Sequence, residues 1–408
     1  EAYWTEDAPA VEGELVRATP VDPMRMAYPS ERELLAVEVP GGVTGERPAR
    51  SAYLFTAERN GASRLAYQLM AAGYRVSSAT RPIGAGGRKW PRGTYVVRVS
   101  RNDSTLHADI DRLARESGVE VTGIGSAYTD PEMQYGTGSE VVVELKTPRI
   151  ALVGDEGIGQ TSYGATWYVL ERRYGIKFTP VSTQWIGSGD LSEFNVILVP
   201  DASPGALNRI VGKSGADRLR DWVRAGGTLV TMGGATAWAA REDVNLTSAR
   251  LVGSGDAKDT TGTTPARADT GLAAQARDPL AVTSPSANNG EPQYLPGSHF
   301  DVVLDRTHWL TQGYEDPRLT VMLDGSAFLS LSKEGANVGV FPSSGPLHRA
   351  GWSWPQNTER LLRGTAFLID EPTGRGHVVL FTNEPLFRAW WHALDRLVLN
   401  AVLLGPGM

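Results

Sequence analysis

The stretch that most constrains the fold is Pro148 to Gly175, PRIALVGDEGIGQTSYGATWYVLERRYG, where a buried strand, a glycine-rich turn and an amphipathic helix follow without a break. Ile150 to Val153 form a short apolar run of the kind found in a parallel strand buried on both faces. Ser162 is expected to cap the next helix, with Trp167, Leu170 and Tyr174 on one face and Gly175 as a left-handed stop. This is half of a βαβ unit. Its turn does not read as a phosphate cradle, because the glycines miss the G-x-G-x-x-G spacing and Asp155 and Glu156 would repel an anion.

A chain of 408 residues with 41% apolar content can bury a large core, and its length favours two domains. The net charge of -6, without a Lys/Arg cluster, argues against nucleic acid or an anionic membrane surface as partner. Only 6 of the 40 basic residues are Lys, a hint of a GC-rich bacterial source. Cysteine is absent, which excludes disulfides, thiolate metal sites and a cysteine nucleophile, and fits export to an oxidising space. No apolar run is long enough to cross a bilayer. The first residues, Glu-Ala-Tyr-Trp, read as a processed boundary.

Residues 1–50 read as an extended linker, weakly periodic and rich in Pro, Glu and Val. Residues 51–147 read as a small α/β domain: a strand from Ala52, a helix capped by Asn60 and closed by Gly73, strands near 74–78 and 93–99, a helix opened by Ser104, and a strand from Val119. Residues 148–408 read as a doubly wound, mostly parallel α/β domain. Its further strands are expected at 178–182, 195–200, 228–232, 337–341, 366–370 and 377–382. A helix is expected over 216–225, with Ser214 and Asp217 as a capping box, and a last helix with Phe387, Trp390, Trp391, Leu394 and Leu397 on an apolar face. Residues 252–298 read as a long insertion, poor in large apolar residues and held either by a second copy of the chain, in a homo-oligomer, or along its own domain.

The ordered segments PRIAL, WYVLERRYG, DLSEFNVILVPD, LRDWVRAGGTLVTMGG, THWLTQGY, GWSWP, GRGHVVLFTNEPLFRAWW and LVLNAVLLGP resemble the C-terminal region of large bacterial M14-family zinc carboxypeptidases. YLFTAERNGASRL and GGRKWPRGTYVV are similar to the segment that precedes that region. The resemblance implies a glutamine amidotransferase-like, or flavodoxin-like, domain without catalytic function. Peptide hydrolysis would belong to a zinc-binding peptidase domain of the same precursor, secreted or periplasmic, and this chain would carry no cofactor. The alternative is an extracellular structural or self-assembling module.

The residues themselves agree with a missing zinc site. None of the six histidines is followed three residues later by Glu, and the nearest approach, His392 to Asp395, reads as a surface pair. At Met232-Gly233-Gly234-Ala235-Thr236, where an amidotransferase-like fold would place its nucleophile, there is no Cys or Ser, and His308 reads as a packing or turn residue. What remains is the cleft at the carboxyl ends of the strands, with Asp155, Tyr163, Asp201, Gly234, Glu384 and Arg388 as its candidate residues. The plainer reading, and the favoured one, makes Asp201 a loop cap and Glu384 with Arg388 a helical i, i+4 pair. Trp352 and Trp354 could offer an aromatic platform for sugar or peptide, although core packing is the expected role.

Overall fold

The computed structural model describes residues 41–129, 132–252, 295–325, 328–354 and 358–408. Most of the expected linker, and the insertion from 253 to 294 with its expected contact, to a second copy or to its own domain, lie outside the described residues.

The first layer contains β1 (Gly42–Gly45), β2 (Ala52–Phe55), α1 (Asn60–Ala71), β3 (Ser77–Ala79), β4 (Ile83–Ala85), β5 (Arg88–Trp90), β6 (Tyr95–Arg98), α2 (Leu106–Ser117), β7 (Glu120–Ile124) and β8 (Val142–Glu144). Its sheet runs β1-β7-β2-β6-β3-β8, with β4 and β5 as a separate hairpin. The β2-α1-β3 unit expected from the sequence is present, but β6 lies antiparallel between its two strands. In the same way β2 separates β6 from β7. Two interleaved split βαβ units make this a ferredoxin-like arrangement. Periodicity located the elements, but it holds no information on which distant strand fills the gap. The helix ends also differ. Asn60 does not cap α1; its side chain donates to the carbonyl of His392 at 3.3 Å and accepts from Arg396 at 3.0 Å.

The second layer contains β9 (Ile150–Gly154), α3 (Gln160–Trp167) continued by a wider turn over Tyr168–Arg173, β10 (Thr179–Ser182), β11 (Val196–Val199), α4 (Pro204–Arg224), β12 (Thr228–Met232) and α5 (Gly234–Ala239). After the insertion come β13 (Leu295–Leu304), β14 (Arg318–Gly325), β15 (Ala336–Val340), β16 (His348–Ala350), β17 (Ala366–Thr373), β18 (Gly376–Phe381) and α6 (Asp395–Leu404). Five strands in the order β10-β9-β11-β12-β18 are parallel. This is the flavodoxin-like order 2-1-3-4-5. An antiparallel extension of β17, β15, β13 and β14 continues the sheet, and the sequence reading missed β13, β14 and β16.

Every residue of β9 and β11 is buried, as a two-sided parallel strand requires. Leu152, Leu198, Val230 and Val379 face one core, which also holds Leu397 and Leu404 of α6 and runs on into Leu65 and Leu69 of α1. Ala151, Ile197, Leu229 and Val378 face the other, against Leu207 and Leu219 of α4 and Trp238 of α5. The two layers therefore share one apolar core across the short joint at 145–149, where Leu145 is buried in that same core.

Two helices depart from expectation. α4 starts at Pro204, capped by Ser203, and bends at Gly212 (φ 61°), so the expected helix over 216–225 is only its second half. The last helix starts only at Asp395, because Arg388 (φ 47°) and Ala389 (φ 57°) are left-handed and break the turn before it. Glu384 and Arg388 are thus not a helical pair.

Candidate functional site

In a doubly wound sheet the ligand crevice opens where the strand order reverses, here at the carboxyl ends of β9 and β11. The loops leaving those strands are tied together. The Gly159 N–H donates to the carbonyl of Asp201 (2.8 Å), and the Ser203 N–H donates to that of Gly157 (2.8 Å). The Asp201 N–H donates to Ser162 Oγ at 3.0 Å. Ser162 therefore does not cap α3, whose cap position is Gly159; it links the first turn of that helix to the neighbouring loop.

Beside this junction β12 turns sharply into α5 through Gly233, at φ 53° and ψ −120°. A side chain on an elbow of this kind would be the nucleophile of a hydrolase, and the next backbone N–H would face the oxyanion. Here the position is bare. A Cβ on Gly233 would stand 2.3 Å from Asp201 Oδ1, and the Gly234 N–H already donates to that oxygen at 2.6 Å. One carboxylate occupies both the side-chain space and the amide that an acyl-transfer centre would need. Thr236 is committed elsewhere, donating to the Phe381 carbonyl and paired with Thr231, each at 2.8 Å.

The electrostatics of the cleft follow from burial. The Asp201 carboxyl is raised above its ordinary range mainly by burial, opposed by the amides of Gly234 and Ala202 and reinforced by Asp324. Glu384, just past β18, is pushed from 4.5 up to about 7 by burial first, with Asp201 and Asp324 adding to the shift and the Ser162 hydroxyl and Arg388 opposing it. Glu384 Oε1 is buried without a hydrogen-bond partner. Asn383 connects this loop to the end of β14 by donating to the carbonyl of Asp324 at 2.7 Å.

Of the six candidate residues, Asp201, Gly234 and Glu384 are brought together. Arg388 faces Glu384 from its left-handed turn, its guanidinium 5.1 Å from the Phe387 ring centroid. The Tyr163 ring packs over Gly154, where a Cβ would come within 2.8 Å of Cε2. Asp155 is an exposed loop tip (φ 78°) outside the cluster. Ser162 and Asp324 were not foreseen: Ser162 looked like a helix cap, and Asp324 lies on an unrecognised strand.

His308 is not part of this cleft. Its Nε2 lies 3.2 Å from Asp370 Oδ2, and the same buried carboxylate takes His377 Nδ1 and Trp309 Nε1, each at 3.0 Å. Burial raises the Asp370 carboxyl, but the two imidazole hydrogen bonds outweigh it and hold it below the ordinary range. The His392–Asp395 pair is not a surface pair: Asp395 is 1% exposed and accepts from Arg173 (2.8 Å) and the Tyr174 hydroxyl (2.9 Å), with His392 Nδ1 at 3.9 Å. Among the described residues no three His, Cys, Asp or Glu side chains are grouped to hold a metal. Trp352 is not in the core; it is 63% exposed and meets Trp354 edge-on at 6.3 Å.

No family model and no curated protein matches the chain. Solved structures similar to it include a glutamine amidotransferase of Thermotoga maritima (8% identity, covering 62% of this chain and 96% of that one, TM-score 0.38). A ThuA-like protein of Parabacteroides merdae is 12% identical over 63% of this chain and 89% of its own, with a TM-score of 0.38. A cytoplasmic protein of Salmonella typhimurium LT2 is 13% identical over 62% and 99%, with a TM-score of 0.34. Likenesses this loose decide nothing about chemistry, and the doubly wound order stands on the chain's own strand pairing.

Proposed function

We propose that the chain is a non-catalytic accessory region of a secreted M14-like zinc carboxypeptidase, positioning the peptidase domain or its substrate while hydrolysis is carried out by a zinc domain outside this sequence. The observation that supports this most is the elbow at Gly233: it has no nucleophile, and Asp201 fills the amide that would stabilise an oxyanion. The ordered sequence segments supply the carboxypeptidase connection. The core shared by the two layers suits a rigid positioning body.

The test compares peptidase activity of the whole precursor with that of a precursor lacking this region, each on a long and a short peptide. The proposal expects the zinc-dependent cleavage to survive and the KM for the long peptide to rise. Unchanged kinetics on both peptides would favour a structural or self-assembling module instead. Loss of all cleavage on point substitution of Asp201 or Glu384 would overturn the non-catalytic reading.

A further inference from the structure

At the end of the parallel sheet opposite the acidic cleft, the segments leading into β9, β11 and β12 border a second, open cleft of about 600 Å³. That lies within the range of roughly 300–1,000 Å³ usual for ligand sites. Its lining includes Lys146 and Arg149 of the short joint, Phe194 before β11, and Trp222, Ala225 and Gly226 at the end of α4.

Most polar groups of this lining are already used. The Arg149 N–H donates to Asn195 Oδ1 at 2.7 Å, and the Asn195 amide donates to the Thr147 carbonyl at 3.0 Å. The Ser192 hydroxyl donates to Asp190 Oδ1 at 2.7 Å, and the Trp222 indole N–H to the Phe194 carbonyl at 3.2 Å. The N–H groups of Gly226 and Gly227 donate to the carbonyls of Val223 (2.8 Å) and Trp222 (3.1 Å). Arg149 Nε donates to the Glu193 carbonyl at 2.7 Å, which holds the guanidinium beside the 192–195 loop. Its two Nη groups and the exposed Lys146 ammonium have no partner among the described residues. Two unmatched cations therefore stand beside two aromatic side chains.

These features select a ligand. The remaining edge of the Arg149 fork suits the two oxygens of a carboxylate. Phosphate sites draw on free backbone amides, and the glycine amides here are spent inside the fold. The C-terminal end of α4, also part of the lining, carries the negative end of a helix dipole, which disfavours an anion and favours N–H groups. A ligand with a carboxylate at one end and N–H groups behind it matches both, and Phe194 and Trp222 offer contact to an apolar side chain between them.

We propose that this cleft binds the carboxyl terminus of a peptide, with the carboxylate on Arg149 and Lys146 and an apolar or aromatic last side chain against Phe194 and Trp222. The choice of a peptide over another carboxylate rests on the accessory reading; the cations and the aromatic lining do not.

The purified chain is titrated into an N-terminally dye-labelled pentapeptide ending in Phe, as the free acid and as the amide, and anisotropy is followed. The acid should bind with a Kd below about 0.2 mM and the amide about tenfold more weakly. Arg149→Gln should weaken the acid about tenfold, and Arg149→Lys, which keeps the charge without the fork, by less. A peptide ending in Gly should bind at least about threefold more weakly than the one ending in Phe. Arg209→Gln, on α4 away from the cleft, is the charge control and should bind like the parent; circular dichroism checks that each variant folds. No saturable binding, equal binding of acid and amide, or binding that Arg149→Gln keeps overturns the proposal. Inorganic phosphate that displaces the probe at lower concentration than unlabelled free-acid peptide also overturns it, making the cleft a phosphate site. Any of these results leaves the accessory reading to its own test, the KM of the precursor for the long peptide.

Discussion

Glu384→Gln should make the protein more stable at alkaline pH and change how its stability depends on pH. In the folded chain burial holds the Glu384 carboxyl at about 7, against an ordinary value of 4.5. Between those values the folded state keeps a proton that the unfolded state has released, so unfolding releases a proton and stability falls as pH rises. The contribution is fully present below the unfolded pKa and is lost progressively as pH climbs to the folded one. The gap of about 2.5 units corresponds to roughly 3 kcal/mol. Gln keeps the shape without ionising. Urea unfolding followed by tryptophan fluorescence, on parent and variant at pH 5 and pH 8.5, isolates this group because other titrations cancel in the difference. The advantage of Glu384→Gln should grow by roughly 2 to 3 kcal/mol between the two pH values. A difference that stays constant within about 0.5 kcal/mol would refute the burial argument.

Three further outcomes follow from the geometry. Gly233→Ala should cost about 2 kcal/mol through strain and collision with Asp201, and the cost should shrink in an Asp201→Ala background; a double-mutant cycle in urea reads the coupling. Asp370→Ala strands the donors of His308, His377 and Trp309 and should lose about 3 kcal/mol, read as a lowered urea midpoint. Limited proteolysis should spare residues 144–148, because Leu145 is buried in the core both layers share; early cutting there would contradict that packing.

Much of the second layer was legible in the sequence because a strand buried on both faces leaves an apolar run, as at Ile150 to Val153 and at Val196 to Val199. The glycine at 233 and the missing nucleophile were also legible. Other features depend on distant partners. The ferredoxin-like interleaving is decided by pairing between strands far apart, and β13 and β14 carry polar residues such as His299, Asp301 and Thr320 on their outward face. Ser162 has the residue type of a cap and the position of a bridge, which only the approach of the Asp201 loop reveals. The left-handed turn at Arg388 and Ala389 occurs in ordinary residues, without the glycine that would have announced it. It is this turn that displays Trp390.

The most direct test of the account is turnover by the purified chain itself. Hydrolysis of a carboxyl-terminal peptide, of glutamine and of an activated ester should be measured before and after adding zinc and again with a chelator. With Gly233 at the elbow and Asp201 on its amide, none should exceed the buffer rate. Turnover that persists in the chelator and disappears in Asp201→Ala or Glu384→Gln would contradict the central claim.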